Sequence, residues 1–256
     1  MSITAYKYKA WDKYAKRIIT HQELYFASPK VFNDIFDCQA HGIMSNYQFK
    51  DNPFIITGDG RILNYPNPCS LLDRATKRGI DTSCGVCSFS KSYDSILMWS
   101  HYADYNRGVC FKFDLDKINI GFADIKYVKN KPVYDYCNPD EDKLKWFLYK
   151  YRAWKYEREI RGVISPPENA KNERYRKVKF PKEALKEIIF GANYTDKSTY
   201  DEVIGLCKEH GFHNVKFSVM QPTTDSESYK LLKKPLQFTR NDVPMPCTQK
   251  SDIGIK

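Results

Sequence analysis

Tyr156-Glu157-Arg158-Glu159-Ile160-Arg161-Gly162-Val163-Ile164 is the stretch on which the reading of the fold turns. Just before it, Asp140 to Trp154 carries Leu144, Phe147, Leu148, Tyr151 and Trp154 at the spacing that gathers apolar residues on one face of a helix. From Tyr156 the period drops to two. A strand here places Tyr156, Arg158 and Ile160 on one side and Glu157, Glu159 and Arg161 on the other. Two carboxylates and a guanidinium then share a face, with the acids about 6 to 7 Å apart at Cα. One acid can stay ionised while the other is held by Arg161 or takes a proton, because like charges in one site push their pKa values apart. The competing reading is a solvated edge strand carrying a ladder of alternating salt bridges.

Working outward, strands are predicted over Ile3–Tyr8, Glu23–Ala27, Gly85–Ser90, Gly108–Asp114 and Val215–Val219. Helices are predicted over Asp12–Ile19 and Asp201–His210, Ile96–Tyr102 reads as a short helix or turn, and Lys179–Ile189 reads as a basic strand or turn entering a short helix. Ser28-Pro29 stops the second strand, since proline supplies no ladder donor, and Lys30–Asp37 follows as a turn. Residues 50–80, punctuated by Pro and Gly, read as an irregular or partly helical excursion with a mobile middle. The expected architecture is α+β, a compact split β-sheet core with peripheral helices. It forms a single domain over 1–243, followed by a polar tail over 244–256.

Apolar residues at 42% and aromatics at 15% exclude a disordered chain, which could not offset the entropy of ordering. Forty-one Lys and Arg against thirty-one Asp and Glu give a formal charge of +10, enough to attract polyanions, with a local rise over 171–179. Solubility alone also accounts for such an excess. No apolar run approaches the roughly 18 residues of a membrane span, and no leader-like segment opens the chain, so a cytoplasmic protein with no membrane partner is expected. Eight scattered cysteines read as reduced thiols. Cys84-Gly85-Val86-Cys87 lacks two further ligands for zinc and the strand-to-helix context of a redox pair, so no metal is assigned. No phosphate-cradling glycine loop is present.

Glu157 and Glu159 are the leading catalytic candidates, suited to a reaction that develops positive charge, such as glycosidic cleavage through an oxocarbenium-like state. Leu97-Met98-Trp99-Ser100-His101-Tyr102-Ala103-Asp104 crowds a hydroxyl, an imidazole, a phenol and a carboxylate between apolar runs. His101 is placed with the catalytic set as a base or a partner of a sugar hydroxyl, with a structural histidine as the alternative. Ser100 and Tyr102 join Lys7, Tyr8 and Ser28 as the cofactor-binding set, Tyr102 by stacking and Lys7 by meeting phosphate. Asn33 and Asp34 serve equally as turn formers.

Leu24-Tyr25-Phe26-Ala27-Ser28-Pro29 with Phe32-Asn33-Asp34 and Phe36-Asp37, then Cys87–Ser90, Leu97–Asp104, Gly108–Asp114, Trp154–Arg161 and Ile188–Gly191, occur in order along the first 190 residues. In these motifs the chain resembles the bacterial DUF2971 family, a name that conveys no activity. The order of an early strand with basic residues, a second ending near Ser28 and a late strand with Glu-x-Glu is similar to the ADP-ribosyltransferase layout. That resemblance implies an ADP-ribosyltransferase-like fold that clamps NAD. Glu159 would hold the nicotinamide ribose and favour the oxocarbenium-like ion, and Glu157 would activate the acceptor. It further implies Lys7 on phosphate, Ser28 on the ribose, and His101 or Tyr102 beside the nicotinamide. The implied reaction is transfer of ADP-ribose to a nucleic-acid or protein acceptor, in a toxin or phage-defence role, or simple NAD hydrolysis. A nucleic-acid binding protein or metal-dependent nuclease is the first alternative, and a non-enzymatic interaction protein the second.

Overall fold

A computed structural model of the chain describes residues 2–46, 54–56, 62–64, 69–168, 173–194, 197–224 and 228–236. In chain order the first elements are β1 (Thr4–Lys9), α1 (Lys13–Thr20), β2 (Glu23–Tyr25), β3 (His41–Ile43), β4 (Phe54–Ile56), β5 (Ile62–Asn64), α2 (Cys69–Ser83), β6 (Gly85–Ser90), α3 (Ile96–Tyr102) and β7 (Val109–Asp114). There follow β8 (Phe122–Asp124), β9 (Lys126–Val128), β10 (Val133–Asp135), β11 (Tyr149–Tyr151), β12 (Glu159–Ile164), β13 (Lys177–Lys179), β14 (Leu185–Phe190), α4 (Lys197–Glu209), β15 (Lys216–Pro222) and β16 (Leu231–Pro235). The protein is thus mixed α+β, with extensive, mostly antiparallel sheet and four α-helices among the described residues. No helix there is long and apolar enough to cross a membrane. The expected tail 244–256 and the stretches 50–53, 57–61 and 65–68 of the predicted excursion lie outside the described residues.

The chain divides into two compact units, Met1–Glu23 with Ser92–Ile118 and Phe180–Lys256, and Leu24–Lys91 with Asn119–Lys179. In the first, the strands run in the order β16-β15-β14-β7-β1. Every neighbouring pair is antiparallel except β14 with β15. Val109, Cys110, Phe111 and Phe113 of β7 and Leu185, Ile188, Ile189 and Phe190 of β14 are all buried, so adjacent positions on opposite faces are both covered. A strand covered on both sides reads as a continuous apolar run, which is why β14 lacks alternation and why the helix expected to end at Ile189 is a strand. Asp12 caps α1, its carboxylate accepting from the backbone of Tyr14 and Ala15, and the helix buries Ala15, Ile18 and Ile19.

After α3 the chain makes an unusual turn. Asp104, Tyr105 and Asn106 have φ of 45°, 53° and 66°, three successive left-handed residues where each costs about 1–2 kcal/mol. The strain is offset by backbone bonds from Tyr105 to Ser100, Asn106 to Trp99 and Gly108 to Ala103. The Asn106 carbonyl then accepts from Asn193, and the Gly108 carbonyl from Gly191. A Cβ on Gly108 would overlap the Lys9 carbonyl, and one on Gly191 the Asn106 carbonyl, both well inside 3.0 Å.

In the second unit β12 lies between β6 and β8, antiparallel to both, while β3 with β10 and β9 with β11 form short parallel pairs. Arg176, fully buried, donates to the carbonyls of Cys84 and Thr82 at the C-terminal end of α2, where the helix dipole favours a cation. Part of the basic run 171–179 is therefore spent inside the protein, and Lys171 and Asn172 lie outside the described residues. The helix predicted over Asp140–Trp154 is absent. In its place are a 3-10 turn at Lys143–Trp146, β11, and a 3-10 segment at Arg152–Glu157. Of the supposed apolar face, Leu144 and Tyr151 are each 47% exposed, while Trp146, off that face, is 2% exposed. The strand expected from Tyr156 begins only at Glu159. Arg158, at φ 46°, adopts the left-handed conformation that ends the 3-10 segment and redirects the chain.

Gly191→Ala is expected to lower the free energy of unfolding by about 1–3 kcal/mol through forced overlap with Asn106. Gly205→Ala, with open space at an exposed position of α4, should raise it by about 0.5–1 kcal/mol. Urea denaturation of the two variants beside the parent checks both signs.

Candidate functional site

The site grows from the period of β12. Pairing of Glu159 with Ser90 and of Arg161 with Ser88 fixes the register, and residues two apart share a face. The Arg161 guanidinium therefore reaches back along its own strand, with Nε donating to Glu159 Oε1 at 2.8 Å and Nη2 to Oε2 at 3.0 Å. Its other edge grips Asp37, with Nη1 to Oδ1 and Nη2 to Oδ2 both at 2.9 Å. Nη1 also donates to the Phe147 carbonyl at 2.6 Å. All five N–H donors are used, in two bidentate pairs and one bond to backbone.

Lys150 supplies the second cation. In β11 it lies in register with Tyr127 of β9, and its Nζ is 2.5 Å from Glu157 Oε2, 3.2 Å from Glu159 Oε2 and 3.5 Å from Asp37 Oδ2. The ammonium also sits 5.0 Å from the centre of the Trp154 ring. Glu157 reaches the cluster from the end of the 3-10 segment rather than from a strand, because the turn at Arg158 swings it inward, and Ser90 Oγ pins its carbonyl at 2.7 Å. None of the five charged residues is more than 7% exposed. With all five ionised, the three carboxylates of this group outnumber its two cations by one.

Burial alone would push the Asp37 and Glu159 carboxyls up, but Arg161 and Lys150 overcome it and hold both below their ordinary values. Burial likewise opposes the charge on Lys150 and Arg161, and the surrounding carboxylates raise both. Tyr127 joins this cluster to the surface. Its hydroxyl oxygen accepts the Glu159 backbone N–H at 2.8 Å, and burial followed by the nearby glutamates raises its pKa to about 12. The ring lines a hollow of about 510 Å³ together with Tyr151, Arg152, Ala153 and Lys155.

The structure brings Glu157 and Glu159 together and adds Lys150, which no local pattern in the sequence marks. Asp37 enters through a turn in which Asp34 Oδ1 accepts from the Phe36 backbone, the turn-forming role open to it from the sequence. Ser28 Oγ donates to the Asp81 carbonyl at 2.5 Å and accepts from the Lys30 backbone, capping the turn that follows Pro29. Lys7, Tyr8, Ser100, His101 and Tyr102 belong to the other unit. There Tyr8 is a core residue, its ring edge-on to Trp99 at 5.1 Å and its hydroxyl donating to the Ser92 carbonyl at 2.9 Å. His101 is exposed on α3, Ser100 and Tyr102 are half-buried, and Lys7 is half-buried in β1 opposite Phe111. Comparison with protein-family models, curated proteins and solved structures returns no match to the chain.

Arg161→Met leaves Asp37, Glu157 and Glu159 with Lys150 alone and is expected to cost about 3–5 kcal/mol. Glu159→Gln leaves two acids facing two bases and should cost less, about 1–3 kcal/mol. Asp37 and Glu159 have folded pKa values below their unfolded ones, so their contribution is present above about pH 4.5 and is lost as pH falls through the lowered values. The bases, raised on folding, contribute fully below pH 10.5 and lose that only beyond it. The difference in unfolding free energy between parent and Arg161→Met, measured in urea, should therefore stay level between these limits and shrink below about pH 4.5.

Proposed function

We propose that the chain is a DUF2971 member that transfers ADP-ribose from NAD to a nucleic-acid or protein acceptor in the cytoplasm, in a toxin or phage-defence role. The observation that carries this reading is the charge imbalance behind Tyr127. With all five residues ionised, their summed charge of −1 stabilises a developing oxocarbenium-like cation by about 3 kcal/mol at ~5 Å for an effective dielectric constant of ~20. That is roughly a hundredfold in rate. Glu159 and Glu157 act in this reading through their field, since Lys150 and Arg161 occupy their oxygens. NAD, when bound, supplies the glycosidic bond that breaks and the ADP-ribose that moves.

The same saturation favours a second reading, in which the cluster is a structural core and the chain binds nucleic acid without catalysis. For the nuclease variant of that reading, no group of three or more His, Cys, Asp or Glu among the described residues is arranged to hold a metal ion. Lys150 and Arg161 lie between the acids where a metal would have to sit.

Incubation with NAD labelled in the adenylate moiety, in EDTA and with RNA, DNA or protein present, tests the proposal. Release of nicotinamide and transfer of label by the parent, reduced about a hundredfold in a folded Glu159→Gln variant, is the expected outcome. Intact NAD with every acceptor, or equal rates in parent and variant, overturns it.

A further inference from the structure

The hollow beside the ion cluster carries a chemistry of its own. Arg152 and Lys155 line it as exposed side chains, and neither is held in an ion pair among the described residues. Elsewhere in this unit Lys77 pairs with Asp81, Lys91 with Asp124 and Lys145 with Glu141, whereas Arg152 and Lys155 stand together on one hollow with no carboxylate in its lining. Between the two free cations lies Ala153, too small to obstruct, and before them Tyr151, 47% exposed. Four of the five lining residues, Tyr151, Arg152, Ala153 and Lys155, are exposed, and Tyr127 is half-buried. A small ligand in such a place would stay largely in water, whereas true small-molecule pockets bury most of their ligand. A chain that passes through needs no enclosure.

We infer that this hollow binds single-stranded nucleic acid, with Arg152 and Lys155 on phosphates and Tyr151 stacked on a base. Unpaired cations beside an open aromatic face are the elements by which proteins hold single strands without reading sequence. The site rests on a rigid base: Arg152–Glu157 is anchored at one end by β11 and at the other by Glu157 in the buried cluster, so the cations are presented on an ordered segment. The net charge of +10 adds long-range attraction for the same ligand. This inference names the surface that would take a nucleic-acid acceptor, and it does not require NAD chemistry.

Fluorescence anisotropy of a short labelled oligothymidylate, titrated with the full chain at low salt and over a salt series, tests it, with a duplex of equal length alongside. The parent is expected to prefer the single strand. Arg152→Ala with Lys155→Ala should weaken binding at least tenfold and flatten the log–log salt slope by about 1.4, two phosphates' worth on a single strand. Tyr151→Ala should weaken it by about tenfold. All three side chains are exposed, so thermal melts of the variants should match the parent. Absence of binding by the parent, preference for the duplex, or a double variant that binds as tightly as the parent overturns the inference. Strand binding by a protein that leaves NAD intact upholds it and removes the transferase reading alone, and NAD turnover without strand binding does the reverse.

Discussion

The guanidinium of Arg161 is the constraint to which the second unit is built. Removing an ion from water costs several kcal/mol even after relaxation, so a fully buried arginine persists only where every donor is used and the charge is answered. Here the answers come from Asp37, 124 positions away, from Glu159 on the same strand, and from the Phe147 carbonyl. Sliding β12 by one residue against β6 would turn both Arg161 and Glu159 to the opposite face and strand all of these groups at once. The cluster therefore fixes register as well as position. An apolar core of equal volume would tolerate the slip far better, since it has no directional bonds to lose.

The first unit achieves definition by other means. Its central strands β7 and β14 are buried on both faces, and what directs the chain among them is backbone: three left-handed residues after α3, bonded to Trp99, Ser100 and Asn193, and two glycines placed where a carbonyl leaves no room for a Cβ. Strain of this size survives only where neighbouring bonds over-determine it. The motif Leu97–Asp104, which reads in sequence as a chemical site, is in structure first part of a joint of α3 with β7 and β14, made through Gly108 and Gly191. Trp99 and Met98 are its buried part, and Leu97 is 46% exposed.

The contrast explains what the sequence could and could not disclose. β1, α1, β6, α3, β7, α4 and β15 were legible because each has a clear period, a cap or a glycine boundary. β14 was not, since burial on both faces erases alternation, and Asp140–Trp154 misled because its helical spacing is real but unused. What overrides it is Lys150: a buried lysine cannot be placed by any apolar period, and its partners come from three separate segments. Within the site, Glu159 and Arg161 followed from a two-residue period, and Glu157 joined them by a different route, the left-handed turn at Arg158. Asp37 carried a turn signal and no sign of its distant arginine.

The same geometry narrows the chemistry open to the acids. A general acid must hold a proton near neutral pH, and a general base must want one, so both roles call for a carboxyl raised toward that range. Arg161 and Lys150 drive Asp37 and Glu159 the other way, which leaves them ionised and weakly basic. Sharing of a proton between like charges, as in an acid pair without cations, is thereby removed for these two groups. What survives is a fixed electrostatic contribution, oriented before any substrate arrives and costing no reorganisation when charge develops. That contribution decays with distance and with solvent, so its use depends on Tyr127, whose half-buried ring is the layer between the cluster and the open hollow. In the transferase reading proposed above, a ligand seated against that ring would meet cations from Arg152 and Lys155 at its edge and the excess of carboxylates from beneath, and a molecule with anionic phosphates around a centre that turns positive would match both signs.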